Sequence, residues 1–484
     1  QTIIIVTIGQ ISTFYLFAIP VDCQRRQKIE KYNNMSAVRG EFSSRFGFIM
    51  AAAGSAVGLG NIWGFPTQTA SNGGAAFLVA YLVLAFFLAY PALMAELIIG
   101  RHGQANAVSS LTKITSHAWQ KRFAFIVGFG GILCAGFILS FYAIVAGWML
   151  SATIEPITTL AGANQASTWL SEQSLSRNII FTVIFIILTV AIISRGVENG
   201  IEKWSKRLMP ALLGILFALI AYVMTQEGAM QGLKAYLVPD FSSIFDANLL
   251  VSALGQAFFS LSLGTSVMII YGSYISKKEN LVTLGAYVTL IDVFIAFVAG
   301  LLIIPAMYVA QAQGVEIFSS TGKLLSEDTL VFQVLPALFD GMGSVGLFIG
   351  FAFFALMSIA ALTSSISMLE APVSYTVERF AMSRLQATWL IGALISAVSI
   401  TIVCNLGSLF GLVITLTTKV AQPLLGLMCC IFVGWIWYRG SLLKAIQQGN
   451  PEVHNTLFWK VWPVYTKFVC PIAIGAVFLH SVLS

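Results

Sequence analysis

An all-α integral membrane protein is the fold class this sequence predicts, and three observations predict it. The 484-residue chain is 58% apolar and only 10% charged, whereas soluble domains carry about 25% charge. Apolar runs of about 20 residues, the length that crosses a bilayer's hydrocarbon core, follow one another from Phe46 almost to the end of the chain. Two of these runs are interrupted at their middles by glycines and hydroxyls, which a continuous membrane helix avoids. No soluble domain is left over. The formal charge of +6 is carried in short loops, so it reads as topology rather than as a nucleic-acid surface. Cys134, Cys404, Cys429, Cys430 and Cys470 lie inside apolar runs and read as packing residues, implying neither a disulfide framework nor a metal cluster.

Residues 1–34 carry an apolar stretch, Thr2 to Ile19, followed by Arg25, Arg26 and Lys28. This reads as an extension outside the fold, with the alternative of an extra anchor helix. From there eleven spans are expected, near 46–70, 75–99, 123–150, 178–194, 208–225, 249–275, 281–311, 344–372, 387–404, 408–438 and 461–483. Loop 101–122 holds Arg101, Lys113, Lys121 and Arg122, and loop 194–207 holds Arg195, Lys203, Lys206 and Arg207. Loop 226–245 offers only Lys234, and loop 313–341 only Lys323 against four acids. Basic loops stay in the cytoplasm, which puts the start of the first span inside and the C-terminus outside.

The first run, RFGFIMAAAGSAVGLGNIWGFPTQTASNGG from Arg45 to Gly74, has Gly54, Ser55, Gly58, Gly60 and Asn61 at its centre. Each glycine costs a helix about 1 kcal/mol relative to alanine. Broken backbone at membrane depth is tolerated only where it is buried in protein or lines a watery cavity. Two half-helices meeting at a gap present free amides to an anion and free carbonyls to a small cation. The stretch therefore reads as a binding site. The sixth run repeats the anomaly, with Ser260, Ser262, Gly264 and Thr265 in FFSLSLGTSV. Two broken segments five spans apart point to an inverted repeat with its site at the repeat interface. The expected division is repeat one at about 44–226, repeat two at about 246–440, and an added eleventh helix at about 460–483, all within a domain of residues 35–484. Buried ionisable residues are costly and usually functional, which singles out Glu96, Asp292, Glu370 and Lys419; Lys419 has no role beyond lining an outer vestibule.

Gly54 to Pro66 resembles the pattern G-x-A-V-G-L-G-N-x-W-R-F-P of the neurotransmitter:sodium symporter family, with Gly64 in place of the arginine. The resemblance covers roughly Arg39 to the C-terminus and is similar to the bacterial amino-acid carriers of that family. It implies a first sodium site of the Ala56 carbonyl, Asn61, Ser260 and Asp292, joined by the substrate carboxylate. It implies a second sodium site of the Gly54, Val57 and Ala360 carbonyls with the Thr363 and Ser364 hydroxyls. The implied substrate contacts are Ser55, Ala56, Leu59, Gly60, Ile138, Tyr142, Phe259, Ser260, Ser262, Thr265, Ser364 and Met368, with Tyr142 and the amides of Leu59 and Gly60 meeting the carboxylate. Monoamine carriers of the family have an aspartate where this chain has Gly58, so the substrate is expected to bring its own carboxylate. Glu96 resembles the glutamate that bonds the unwound sixth span, and Arg39 with Glu378, near Tyr274, resembles the inner-gate ion pair.

The pocket so implied holds no charge to pair with an ionic side chain, so the expected activity is sodium-coupled symport of a neutral, apolar amino acid by alternating access. A non-transporting sodium and amino-acid sensor and a proton-coupled permease stay open as alternatives, and no enzymatic constellation falls together in the loops. The implied setting is a bacterial inner membrane. Asp292 replaces the family's asparagine, while Ala296 stands where a bacterial relative has a glutamate; Asp292 is therefore expected to remove any chloride requirement.

Overall fold

The computed structural model describes residues 40–238, 241, 244–317, 335–336, 339 and 342–483. The expected extension at 1–34 and the expected gate residue Arg39 lie outside these residues, as does most of loop 313–341 with Lys323. Every described element is helical. Among the described residues, nine continuous helices are long and apolar enough to cross a membrane: Ala75–Gly103, Ala118–Leu160, Leu175–Ile193, Val197–Val223, Leu281–Ala312, Gly343–Phe380, Arg384–Cys404, Leu406–Ile436 and Leu457–His480. They fall at the second to fifth, seventh to ninth, tenth and eleventh expected positions, and the ordinals below follow that order.

The first span starts where Ser44 accepts a hydrogen bond from the Gly47 amide (3.0 Å), an N-cap that satisfies one of the free donors of a helix start. It runs as Arg45–Ala56, opens at Val57, whose backbone is extended, and resumes at Gly60–Ser71 after a 55° bend. The sixth is split into Ala247–Ser260 and Val267–Ser273. Between them Ser262 (φ 53°), Gly264 (φ 76°) and Ser266 (φ 60°) adopt the left-handed region. For the two serines that conformation costs on the order of 1–3 kcal/mol each, and it persists only where the surroundings hold it. Here the surroundings are the second and tenth spans: at Gly264 a Cβ would collide with the Gln422 backbone carbonyl.

The half-helix Arg45–Ala56 packs among the fifth, seventh and eighth spans, and the second span runs alongside both halves of the sixth. The eighth lies along the third, so the two breaks are enclosed by unbroken helices. Their polar groups are thereby kept from lipid, which is the condition for broken backbone at depth.

Helix lengths depart from expectation. The third span is 43 residues long and continues to Leu160, ten residues past its expected end. Short helices Ala107–Lys113, Asn164–Ser171, Ala229–Leu237 and Arg439–Gln447 fill loops for which no structure was expected. Hydropathy reports the thickness of the hydrocarbon layer, whereas a helix continues into water wherever capping and propensity allow; Asn106, for example, caps Ala107–Lys113 by accepting from the Ser109 amide at 3.1 Å.

Candidate ion and substrate site

Two oxygen clusters form at the breaks. In the first, the Asp292 carboxylate is fully buried. It accepts hydrogen bonds from Asn61 Nδ2 (2.7 Å) and from Ser260 Oγ (2.8 and 2.9 Å to its two oxygens). Asn61 Nδ2 also donates to the Asp292 carbonyl (3.2 Å), and Tyr81 approaches the far carboxylate oxygen at 3.5 Å. Ala56 is buried beside them at the end of its half-helix. Four spans, the first, second, sixth and seventh, thus deliver one carboxylate and several neutral oxygens to one point, a donor set for a small hard cation. Tyr81 was missed by sequence reasoning, because a single tyrosine in an apolar span looks like packing.

The second cluster contains no charge. Thr363 Oγ1 lies 3.4 Å from the Val57 carbonyl and 2.9 Å from that of Ala360. Ser364 Oγ lies 3.2 Å from the Val57 carbonyl and 3.4 Å from that of Gly54. All five residues expected from the resemblance are therefore in mutual reach. The reason is local: extending Val57 ends the helical bonding of the preceding turn, which turns those carbonyls toward the eighth span.

Between the clusters is a cavity of about 20 Å³, little more than the space one water needs. It is lined by eleven of the twelve expected contacts: Ser55, Ala56, Gly60, Ile138, Tyr142, Phe259, Ser260, Ser262, Thr265, Ser364 and Met368. Leu59 is not part of the lining, but its amide donates to Tyr142 Oη at 3.1 Å, which aligns the phenol with the N-terminal end of the second half-helix. Gly58 and Gln422 join the lining without having been expected there. A Cβ at Gly58 would lie 2.7 Å from Tyr142 Oη and would collide with Ser364 Oγ, so no acidic side chain fits at that position without displacing both.

Along the second half-helix, Gln256 Nε2 donates to the Gly60 carbonyl at 2.7 Å, and its side chain lies beside Gly64, where a family arginine would have to be placed. At the opposite end, past the second half of the sixth span, Tyr274 donates to Glu370 (2.5 Å), which also pairs with Arg384 (2.5 Å). Glu378 accepts from the Asn106 amide and side chain at 2.8 and 2.7 Å. Gln256 and Arg384 were not singled out from sequence; Gln256 acts on a residue 196 positions away, and Arg384 reaches Glu370 from the neighbouring helix, 14 positions away, which helical spacing does not show. Glu96 behaves as expected, accepting from the Gly264 amide in the break of the sixth span at 2.7 Å.

The sodium:neurotransmitter symporter family model matches residues 39–180 and 174–484. The sodium-dependent transporter YhdH of Bacillus subtilis is 33% identical over 458 residues, covering 91% of this chain and 97% of its own. A sodium-dependent transporter of Haemophilus influenzae is 30% identical, covering 92% and 98%. The crystal structure of MhsT in complex with L-phenylalanine superposes with a TM-score of 0.78 at 35% identity, covering 92% of this chain and all of that one. With its paired helix breaks and the clusters they form, this chain is a multi-pass, sodium-dependent membrane transporter that belongs to the sodium:neurotransmitter symporter family.

Proposed function

We propose that the protein is a secondary active symporter that couples sodium entry to uptake of a neutral amino acid by alternating access. The observation that carries the reading is the cavity's position between the two clusters. Once the cavity widens from its room for about one water, the carboxylate of an α-amino acid placed at the Gly60 end, against Tyr142 Oη, would lie beside Asn61 and Asp292 and complete the shell of the first ion. A ligand shared by ion and substrate makes each raise the other's affinity by the same factor. Gly58 supports an amino acid over an amine, since no carboxylate can be seated there for an amine lacking its own. The apolar walls Ile138, Phe259 and Met368 offer no counter-charge to an ionic side chain.

In this reading there are eleven spans in a five-plus-five inverted repeat with one added, the C-terminus is outside, and the membrane is a bacterial inner membrane. Two sodium ions bind, the first at Ala56, Asn61, Ser260 and Asp292, the second at Gly54, Val57, Ala360, Thr363 and Ser364. Asp292 removes the need for chloride. Tyr274, Glu370, Arg384 and Glu378 form the inner gate. The test is binding of the twenty amino acids in sodium and in choline, followed by counterflow in proteoliposomes. Sodium-dependent binding with counterflow is expected; binding indifferent to choline overturns symport, and binding without counterflow makes the protein a sensor.

A further inference from the structure

The amide of Gln422 sits in the tenth span, one residue before Pro423, at membrane depth and 2% exposed. It lines the substrate cavity. Its nitrogen is identified by its partner: Nε2 lies 3.2 Å from the Phe258 carbonyl, and a carbonyl only accepts. The other end of the amide, Oε1, is then an acceptor, and among the described residues it has no hydrogen-bond partner. A buried acceptor left unmatched is costly, and native structures seldom carry one without use.

The serine and threonine hydroxyls of the lining do not supply the missing donor, and Tyr142 Oη, which accepts from the Leu59 amide, is the group that meets the substrate carboxylate in the proposed reading. Ser55 donates to Ser367 Oγ, Ser260 to Asp292 and Ser262 to the Ser55 carbonyl. Thr265 donates to the Ser262 carbonyl at 2.6 Å, and Ser364 to the Val57 carbonyl. With those hydroxyl hydrogens committed, the wall formed by Thr265 and Gln422 presents oxygens to whatever enters. We propose that Gln422 is a specificity-determining residue, selecting neutral amino acids whose side chain ends in an N–H donor, a carboxamide above all. A carboxamide matches the amide reciprocally, its N–H to Oε1 and its oxygen to the second hydrogen on Nε2. The inference rests on the amino-acid symport reading and narrows its substrate class from apolar to donor-bearing.

The test compares isosteres on the purified full-length protein by isothermal titration calorimetry in sodium. The pairs are L-asparagine with L-leucine, L-glutamine with L-homoleucine, and L-tryptophan with L-3-(benzothienyl)alanine, in which sulfur replaces the indole N–H. Burying a neutral acceptor against a group that cannot donate costs on the order of tenfold or more in affinity. Within at least one pair the donor-bearing member is expected to bind at least about tenfold tighter, and Gln422→Leu is expected to erase or invert that ratio. Ratios within about threefold in all three wild-type pairs overturn the inference and leave Gln422 a brace for the break of the sixth span, a result that needs no variant to fold. An unchanged ratio in Gln422→Leu overturns it as well. Failure of every amino acid to bind in a sodium-dependent way is a different outcome, since it removes the symport reading itself and the inference with it.

Discussion

The two oxygen clusters use the same break in the first span and differ in one respect, charge. Around Asp292 a buried carboxylate is held by Asn61 and Ser260; around Thr363 there are only carbonyls and hydroxyls. A unit charge about 4 Å from a cation interacts by about 4 kcal/mol at an effective dielectric near 20, whereas neutral oxygens offer dipoles alone. In the proposed reading, the first cluster would retain its ion together with a substrate carboxylate, and the second would bind weakly and let go. That reading places the stronger ion site beside the cargo and the weaker one toward the eighth span, an order in which loss of the second ion can precede release of the cargo.

Substitutions break that comparison in a defined order. Asp292→Asn keeps shape and removes the charge. Part of the Coulomb energy is offset by desolvation, so a loss of about 2 kcal/mol, some 30-fold in sodium affinity, is the expected minimum. Sodium titrations of substrate binding measure it, and an unaltered midpoint would refute the first site. Thr363→Ala removes one neutral ligand, worth about 0.5–1.5 kcal/mol or roughly 2- to 12-fold. Its sodium midpoint should shift by that smaller factor while the rank order of amino acids stays unchanged. A larger loss from Thr363→Ala than from Asp292→Asn would invert the assignment of strong and weak sites.

What the sequence disclosed follows the same division between local and distant. Thr363 and Ser364 stood out because hydroxyls in a row inside an apolar run either bond back to the preceding turn, as Thr363 does to the Ile359 carbonyl at 3.2 Å, or face a ligand, and the broken first span beside them favoured the second. Asn61 and Asp292 were legible because polar groups at membrane depth are expensive. Both helix breaks were visible as glycine and hydroxyl clusters, since a break is written in the residues that form it. Tyr81, Gln256, Arg384 and Gln422 escaped because each is a single side chain on an otherwise ordinary helix, and its meaning lies in a carbonyl or carboxylate that only the fold brings near. Gln422 did carry a signal: an amide next to a proline in mid-span is as anomalous as Asn61. The membrane helices were placed well and their ends poorly, as at Ala118–Leu160, because hydropathy registers the bilayer and not the helix.

The comparison is sharpened beside Gly64, where the family's arginine and its acidic partner are both missing. Gly64 replaces the family's arginine, and no acid occurs from Ser383 to Pro451. Closure is left to contacts near the cavity. A Cβ on Gly60 would lie 2.9 Å from the Phe259 ring, so the ring sits directly on the start of the second half-helix. Phe259→Ala should therefore speed substrate dissociation, by about fivefold if the ring contributes about 1 kcal/mol to the closed state. Stopped-flow chase with unlabelled substrate reads this directly; a dissociation rate equal to wild type would place closure elsewhere, with Gln256 the next candidate.

The smallest expected effect is none at all, and it tests the charged cluster most cleanly. A cation at depth is held more tightly with a negative charge close by, and at the first cluster that charge comes either from the protein or from a bound anion. Ala296 is fully buried and ligates nothing, and it lies one turn from Asp292 on the same face of the seventh span. Asp292 touches Asn61 and Ser260 directly, so its charge is nearer the proposed ion than a residue at position 296 would be. A carboxylate already at the ion leaves nothing for chloride to add, and a second anion there would meet like charge. Uptake into proteoliposomes should then be equal in chloride and in gluconate. In Asp292→Asn the missing charge reopens that place, so whatever uptake survives should be greater in chloride than in gluconate. A wild-type protein whose uptake collapses in gluconate would mean that Asp292 is protonated and bridges Asn61 to Ser260 as a neutral group, and the distinction between a charged and an uncharged cluster would fall with it.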